Sequence, residues 1–96
     1  MSVLSTASFA IATKAEHFGH EDARAISKYV LQRHTARTVV IDLSHATDAS
    51  TAAFATLVVL RRKLLLTGRD LQVRGLRERA ENVFNVNRLQ SVLPVN

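Results

Sequence analysis

The sequence predicts an α/β fold, a mostly parallel sheet of about four strands with helices packed against it in the order β-α-β-α-β-α. Three observations carry that expectation. Short runs rich in β-branched residues alternate with longer stretches of helical period. The three glycines, at 19, 68 and 75, each fall where one pattern gives way to the other. The 96 residues suffice for one hydrophobic core and not for two, so residues 1–96 are read as a single domain.

The first strand rests on Phe9, Ile11 and Thr13, which alternate with Ser8, Ala10 and Ala12, the weak period of two of an edge or partly exposed strand. After Glu16-His17-Phe18-Gly19, the acids Glu21 and Asp22 precede Ala23, Ile26, Ser27, Val30 and Leu31, spaced for one helical face. Arg33 and His34 stand at its end, and acids first with bases last complement the helix dipole. Thr38 to Leu43, Thr-Val-Val-Ile-Asp-Leu, has no polar alternation until Asp42, which predicts a central strand covered on both faces or nearly so.

A polar stretch, Ser44 to Ser50, leads into an apolar segment from Thr51 to Thr67, closed by Gly68. Ala53, Leu57, Leu60 and Leu64 keep one helical face, flanked by Phe54, Val58 and Leu65, while Arg61, Arg62 and Lys63 interrupt on the other side. Asp70 to Arg74 alternates Leu71 and Val73 with polar neighbours, a third strand, and Leu76, Ala80, Val83 and Phe84 fit a third helix. Leu89, Val92, Leu93 and Val95 then either cover the core or add a short edge strand. Strands and helices in this alternation predict right-handed parallel crossovers.

Composition narrows the function. Hydrophobic residues make up 47% and charged residues 22%, the balance of a folded globular chain. Without cysteine there is no disulfide or thiolate metal site, and stability rests on packing. The first twelve residues lack the basic flank of a secretory signal and no run is long enough to cross a bilayer, so the chain reads as cytoplasmic. Thirteen basic residues against eight acidic give +5, but the densest group, Arg61 to Lys63 with Arg74, Arg77 and Arg79, is not interleaved with aromatic residues. That arrangement favours solvated helix faces over a nucleic-acid surface.

Catalytic and metal chemistry find little footing. His17 and His20 lie three apart at a helix entrance and His34 and His45 are isolated, a pattern of surface or capping histidines, so no metal site is expected. No Gly-x-Ser-x-Gly elbow and no glycine-rich phosphate loop occurs. The expectation is a protein that binds another protein, with no catalytic residue, no cofactor and no small-molecule substrate.

The feature that stands out is the junction from Asp42 to Phe54, where a buried strand passes through hydroxyls and carboxylates onto a helix N-terminus. Asp48, Ser50 or Thr51 would cap the free N–H groups there. A hydroxyl exposed to a kinase is the competing reading, because a phosphate would sit well on a helix N-terminus while adding about two negative charges to a binding surface.

At this junction the chain resembles the STAS family, shared by anti-sigma-factor antagonists and sulphate transporters. Val39-Val40-Ile41-Asp42-Leu43-Ser44 is similar to the family's strand, and Ala53-Phe54 through Leu57 and Leu60-Arg61-Arg62 to its helix. Gly68 to Val73 with Gly75-Leu76 resembles the next strand and turn, and Asn87-Arg88-Leu89 the end of the last helix, so the likeness covers roughly residues 37–93. In the first third, one strand and Glu16 to Gly19 replace the usual opening strand pair and its turn.

Placed without a gap, the family's phosphorylated serine falls on Thr51, its aspartate on Ser50 and its glycine on Ala53. A two-residue deletion would align Asp48 and Ala49 with the aspartate and serine instead, but only the ungapped placement keeps Leu57 and Leu60 in register. The resemblance implies a non-catalytic adaptor of the anti-sigma-factor antagonist type, docking a serine kinase-like anti-sigma factor and released by phosphorylation at Thr51, with Ser50 the second candidate. Its partner-facing residues would be His45, Thr47, Asp48, Ser50, Thr51, Ala55 and Arg62. The alternative it implies is a small STAS subunit regulating a transporter, either an anion permease or the ATPase of a lipid-exporting complex.

Overall fold

The computed structural model describes residues 5–33 and 36–96. Its elements run β1 (Ser5–Ala12), β2 (His17–Phe18), α1 (His20–Arg33), β3 (Ala36–Asp42), β4 (Asp48–Ala49), α2 (Thr51–Leu65), β5 (Asp70–Arg74) and α3 (Glu78–Val86), followed by a 3₁₀ turn at Leu89–Ser91. His34, expected at the end of the first helix, lies outside the described residues.

The main sheet has the order β1-β3-β5 and is parallel throughout. Registration places Ile11, Ile41 and Val73 in one row and Phe9, Val39 and Leu71 in the next. These rows face the helices. Val39, Ile41, Leu71 and Val73 are buried in one core with Ala23, Ile26 and Val30 of α1, the α2 stripe, and Ala80 and Phe84 of α3. Because right-handed crossovers between sequentially ordered strands all fall on the same side, the helices share that face.

The expected cover on both faces of β3 is met only at its centre. On the far face Val40 is buried, while Ser8, Ala10 and Ala12 are exposed and Thr38, Asp42, Gln72 and Arg74 are half-exposed. The chain's end does both things the sequence left open. Leu93 is fully buried, and Val95 makes a one-residue parallel bridge to Val73, whose N–H donates to the Pro94 carbonyl at 2.9 Å.

Local chemistry sets the helix ends. The Asp22 carboxylate reaches back to the Gly19 N–H (2.9 Å), satisfying a donor that α1 leaves free. α2 buries Ala53, Phe54, Leu57, Leu60 and Leu64, the stripe read from spacing. Leu65, expected to flank it, is 47% exposed, since it follows Leu64 by 100° of helical turn and points off the core. Arg61 departs from the solvated face expected of the Arg61 to Lys63 triplet. Its Nε donates to Asp70 (2.7 Å) and its Nη1 to the Val92 carbonyl (3.2 Å), tying α2 to β5 and the C-terminal segment. Leu76 is half-buried against the core but precedes α3 rather than belonging to it.

Candidate functional site

Each step of the junction between β3 and α2 is held by a specific contact. At the end of β3, Asp42 accepts the Ser44 N–H on Oδ1 (2.9 Å) and the Arg74 Nε on Oδ2 (3.3 Å). The Ser44 N–H is the main influence that holds this carboxyl below its ordinary pKa, the Ser44 hydroxyl is the next, and Arg74 adds to them against the opposing effect of burial. Arg77 Nε donates to the Ser44 carbonyl (2.7 Å). Gly75, at φ 77°, leaves room for this turn, because a Cβ there would lie 2.8 Å from the Ser44 nitrogen.

Ser44 and His45 are exposed at the tip of the turn, and Ala46, fully buried, anchors it. Beyond it the chain forms a second, two-stranded parallel sheet, β2 with β4, pairing His17 with Asp48 and Phe18 with Ala49. The Glu16 carbonyl accepts the N–H groups of both Thr47 (2.9 Å) and Asp48 (3.1 Å). The Thr47 carbonyl in turn accepts those of Arg79 (3.0 Å) and Ala80 (3.3 Å). α3 has no side-chain cap, so this carbonyl terminates its first turn.

Asp48 does not cap α2. Its Oδ2 lies 2.9 Å from Nδ1 of His17, and this hydrogen bond is the main reason its pKa falls below the ordinary carboxylate value. The cap is Ser50, whose Oγ accepts the Ala53 N–H at 3.1 Å. Thr51 is the first residue of α2 and is exposed. Its Oγ1 accepts Nδ2 of Asn87 (3.3 Å), which also donates to the Val83 carbonyl (2.8 Å).

Of the seven residues singled out from sequence, Thr51, Ala55 and Arg62 share the solvent-facing side of α2, at intervals of four and seven residues, and His45 is exposed in the turn. Thr47, Asp48 and Ser50 are half-buried and engaged in holding the junction. His17 and Asn87 are the members sequence reading missed. Their partners lie 31 and 36 residues away, and only the pairing of β2 with β4 and the return of α3 bring them close.

The outward side of α2 has one further property. From Thr51 to Leu60 the helix carries no charge, yet Ala52, Ala55 and Val59 are exposed, Val59 by 49%. Surface helices ordinarily turn charged or polar residues outward. Among the described residues no group of three potential metal ligands occurs, and no helix is long and apolar enough to cross a membrane.

A small α/β domain that presents one uncharged helix side beside a hydroxyl-rich helix start belongs, by fold and surface, with protein-interaction modules. The chain is a member of the STAS domain family, which matches it over residues 4–96. Domains of this family are non-catalytic adaptor modules. The crystal structure of a sulfate transporter family protein from Wolinella succinogenes superposes with a TM-score of 0.72 at 14% identity, covering 95% of this chain and 75% of that one. At that identity the likeness is one of fold. No curated sequence matches the chain.

Proposed function

We propose that this protein is a regulatory adaptor that docks a component of a transporter through the outward side of α2 and the adjoining junction at His45 to Thr51. The observation that carries this is the charge-free, solvent-facing first half of α2, with Ala52, Ala55 and Val59 exposed where a partner would cover them. The family contains both transporter-linked and anti-sigma-factor-linked domains, and the fold shared with a sulfate transporter family protein supports the first. The altered junction supports it as well. Ser50 stands where the family's aspartate would, and the Ser50 hydroxyl is occupied as a cap. Ala53 replaces the glycine and is fully buried.

One observation favours a second reading, a partner switch with a serine kinase-like anti-sigma factor. Thr51 is an exposed hydroxyl on a helix N-terminus, where a phosphate would be electrostatically welcome and would change the charge of the docking surface. Affinity capture with the tagged chain from its own cells, with mass spectrometry reading the partner and the state of Thr51, separates the two. A transporter ATPase or permease with Thr51 unmodified supports the first reading. A kinase-like protein with phosphate on Thr51 moves the assignment to the second, and failure to retain any partner after cross-linking overturns the adaptor reading.

A further inference from the structure

α1 and α2 pack side by side and leave a shallow groove of about 400 Å³ between them on the outer surface. Its floor is built from small and apolar side chains, Ser27 of α1 with Ala52, Ala55, Thr56 and Val59 of α2. Ser27 and Thr56 also line the adjoining depression, which continues over Ala25. Small residues on both walls let another backbone come close, as ridge-into-groove packing requires.

The charges on its walls are unequal. His20, Glu21, Arg24, Lys28 and Lys63 are its titratable groups, three permanent cations against one acid. Glu21 is 4.0 Å from both Arg24 and His20, long and exposed contacts. Lys28 on α1, which lines the adjoining depression, and Lys63 on α2, which lines the groove, have no ion-pair partner among the described residues, and α2 carries no charge from Ala52 to Leu60. From Ala52 to Lys63 the groove follows α2 for about 16 Å, three turns of a guest helix.

We infer that this groove seats an amphipathic helix of the partner protein, its apolar residues on the alanine and Val59 floor and acidic residues on its flanks against Lys28 and Lys63. The inference rests on the adaptor reading above and adds the chemistry of what is recognised. A shallow groove lined by two helices suits the helix-in-groove mode, and none of its lining residues belongs to a strand that a partner strand could extend. Unpaired lysines facing complementary acids govern association rate and its salt dependence.

The test uses the full chain and the partner recovered above, with the photo-crosslinker benzoylphenylalanine in place of Val59 and mass spectrometry locating the adduct. The expected adduct is on a helical segment with acids flanking an apolar stripe. The Lys28→Glu/Lys63→Glu double variant, shown by circular dichroism to be folded, should bind at least ten-fold more weakly at low salt. Reversing the partner's acids to lysine should restore most of that loss. An adduct on lipid, on a basic segment or on an extended segment overturns the inference, as does a double variant within two-fold of wild type. A partner that stays bound without cross-linking at Val59 overturns the groove while leaving the adaptor reading intact, whereas recovery of no partner removes both.

Discussion

Phe54→Ala probes the point where the junction is fastened to the core. The ring is fully buried and lies between Phe18 of β2 (centroids 6.2 Å apart, planes at 60°) and Phe84 of α3 (5.5 Å, 73°). Truncating a buried phenylalanine costs about 3–5 kcal/mol, and edge-to-face pairs contribute about 0.5–1.5 kcal/mol each within such a loss. A domain of this size is stable by roughly 5–14 kcal/mol, so the variant gives up a large fraction of its stability. A loss near 4 kcal/mol lowers Tm by about 15–30 °C. Phe54→Leu keeps most of the apolar volume and removes both ring contacts, at about 1–2 kcal/mol. Urea unfolding followed by circular dichroism at 222 nm reads both variants. A loss below about 1.5 kcal/mol for the alanine variant, or equal losses for the two, would refute the claim that this ring links β2, α2 and α3.

Four further expectations follow from the junction. Ser50→Ala, which leaves the Ala53 N–H without its cap, should cost about 1 kcal/mol in urea unfolding, and an unchanged midpoint would show that the cap contributes nothing. Gly75→Ala should cost more than about 1 kcal/mol, because the new methyl meets the Ser44 nitrogen and φ is 77°; a neutral result would mean that the turn relaxes freely. Thr51→Glu should leave stability within about 0.5 kcal/mol, since a favourable charge on the helix N-terminus offsets the lost Asn87 contact, while weakening partner capture at least ten-fold; undiminished capture would separate Thr51 from the docking surface. Asp42 has a folded pKa below its unfolded value, so its contribution is present above about pH 4 and is lost as pH falls through the lower folded value. Asp42→Asn should therefore flatten the acid limb of stability against pH, and an unchanged limb would assign that loss to other carboxylates.

How far the sequence led depended on whether a residue's role was local. Asp70 to Arg74 is the strand expected, and the Ala53, Leu57, Leu60 and Leu64 stripe is the buried face, because periods of two and 3.6 are written in neighbouring residues. Ala36 and Arg37 were missed from β3, since neither has the character of a buried strand and parallel pairing with β1 is what orders them. β2 and β4, two residues each, are too short to show any period. Arg61 looked like the other members of a basic triplet until the fold brought Asp70 beneath it. At the junction, Ser50 and Thr51 could be picked out as hydroxyls at a helix start, but which of them caps and which stays exposed was a matter of backbone geometry. The open turn at His45 was legible, and the fixing of Asp48 by His17 was not.

The carbonyl of Thr47 gives the junction a built-in reporter. It receives the amide protons of Arg79 and Ala80, and at the other end of α3 Asn87 reaches Thr51, so the helix is fastened to both sides of the β4 segment. A guest that shifts the connection at residues 44–50 would act directly on those two amide bonds, because both end on the Thr47 carbonyl. Hydrogen exchange at Arg79 and Ala80 would then register occupancy of a surface that neither residue belongs to, and the first turn of α3 would loosen or tighten with the partner's arrival.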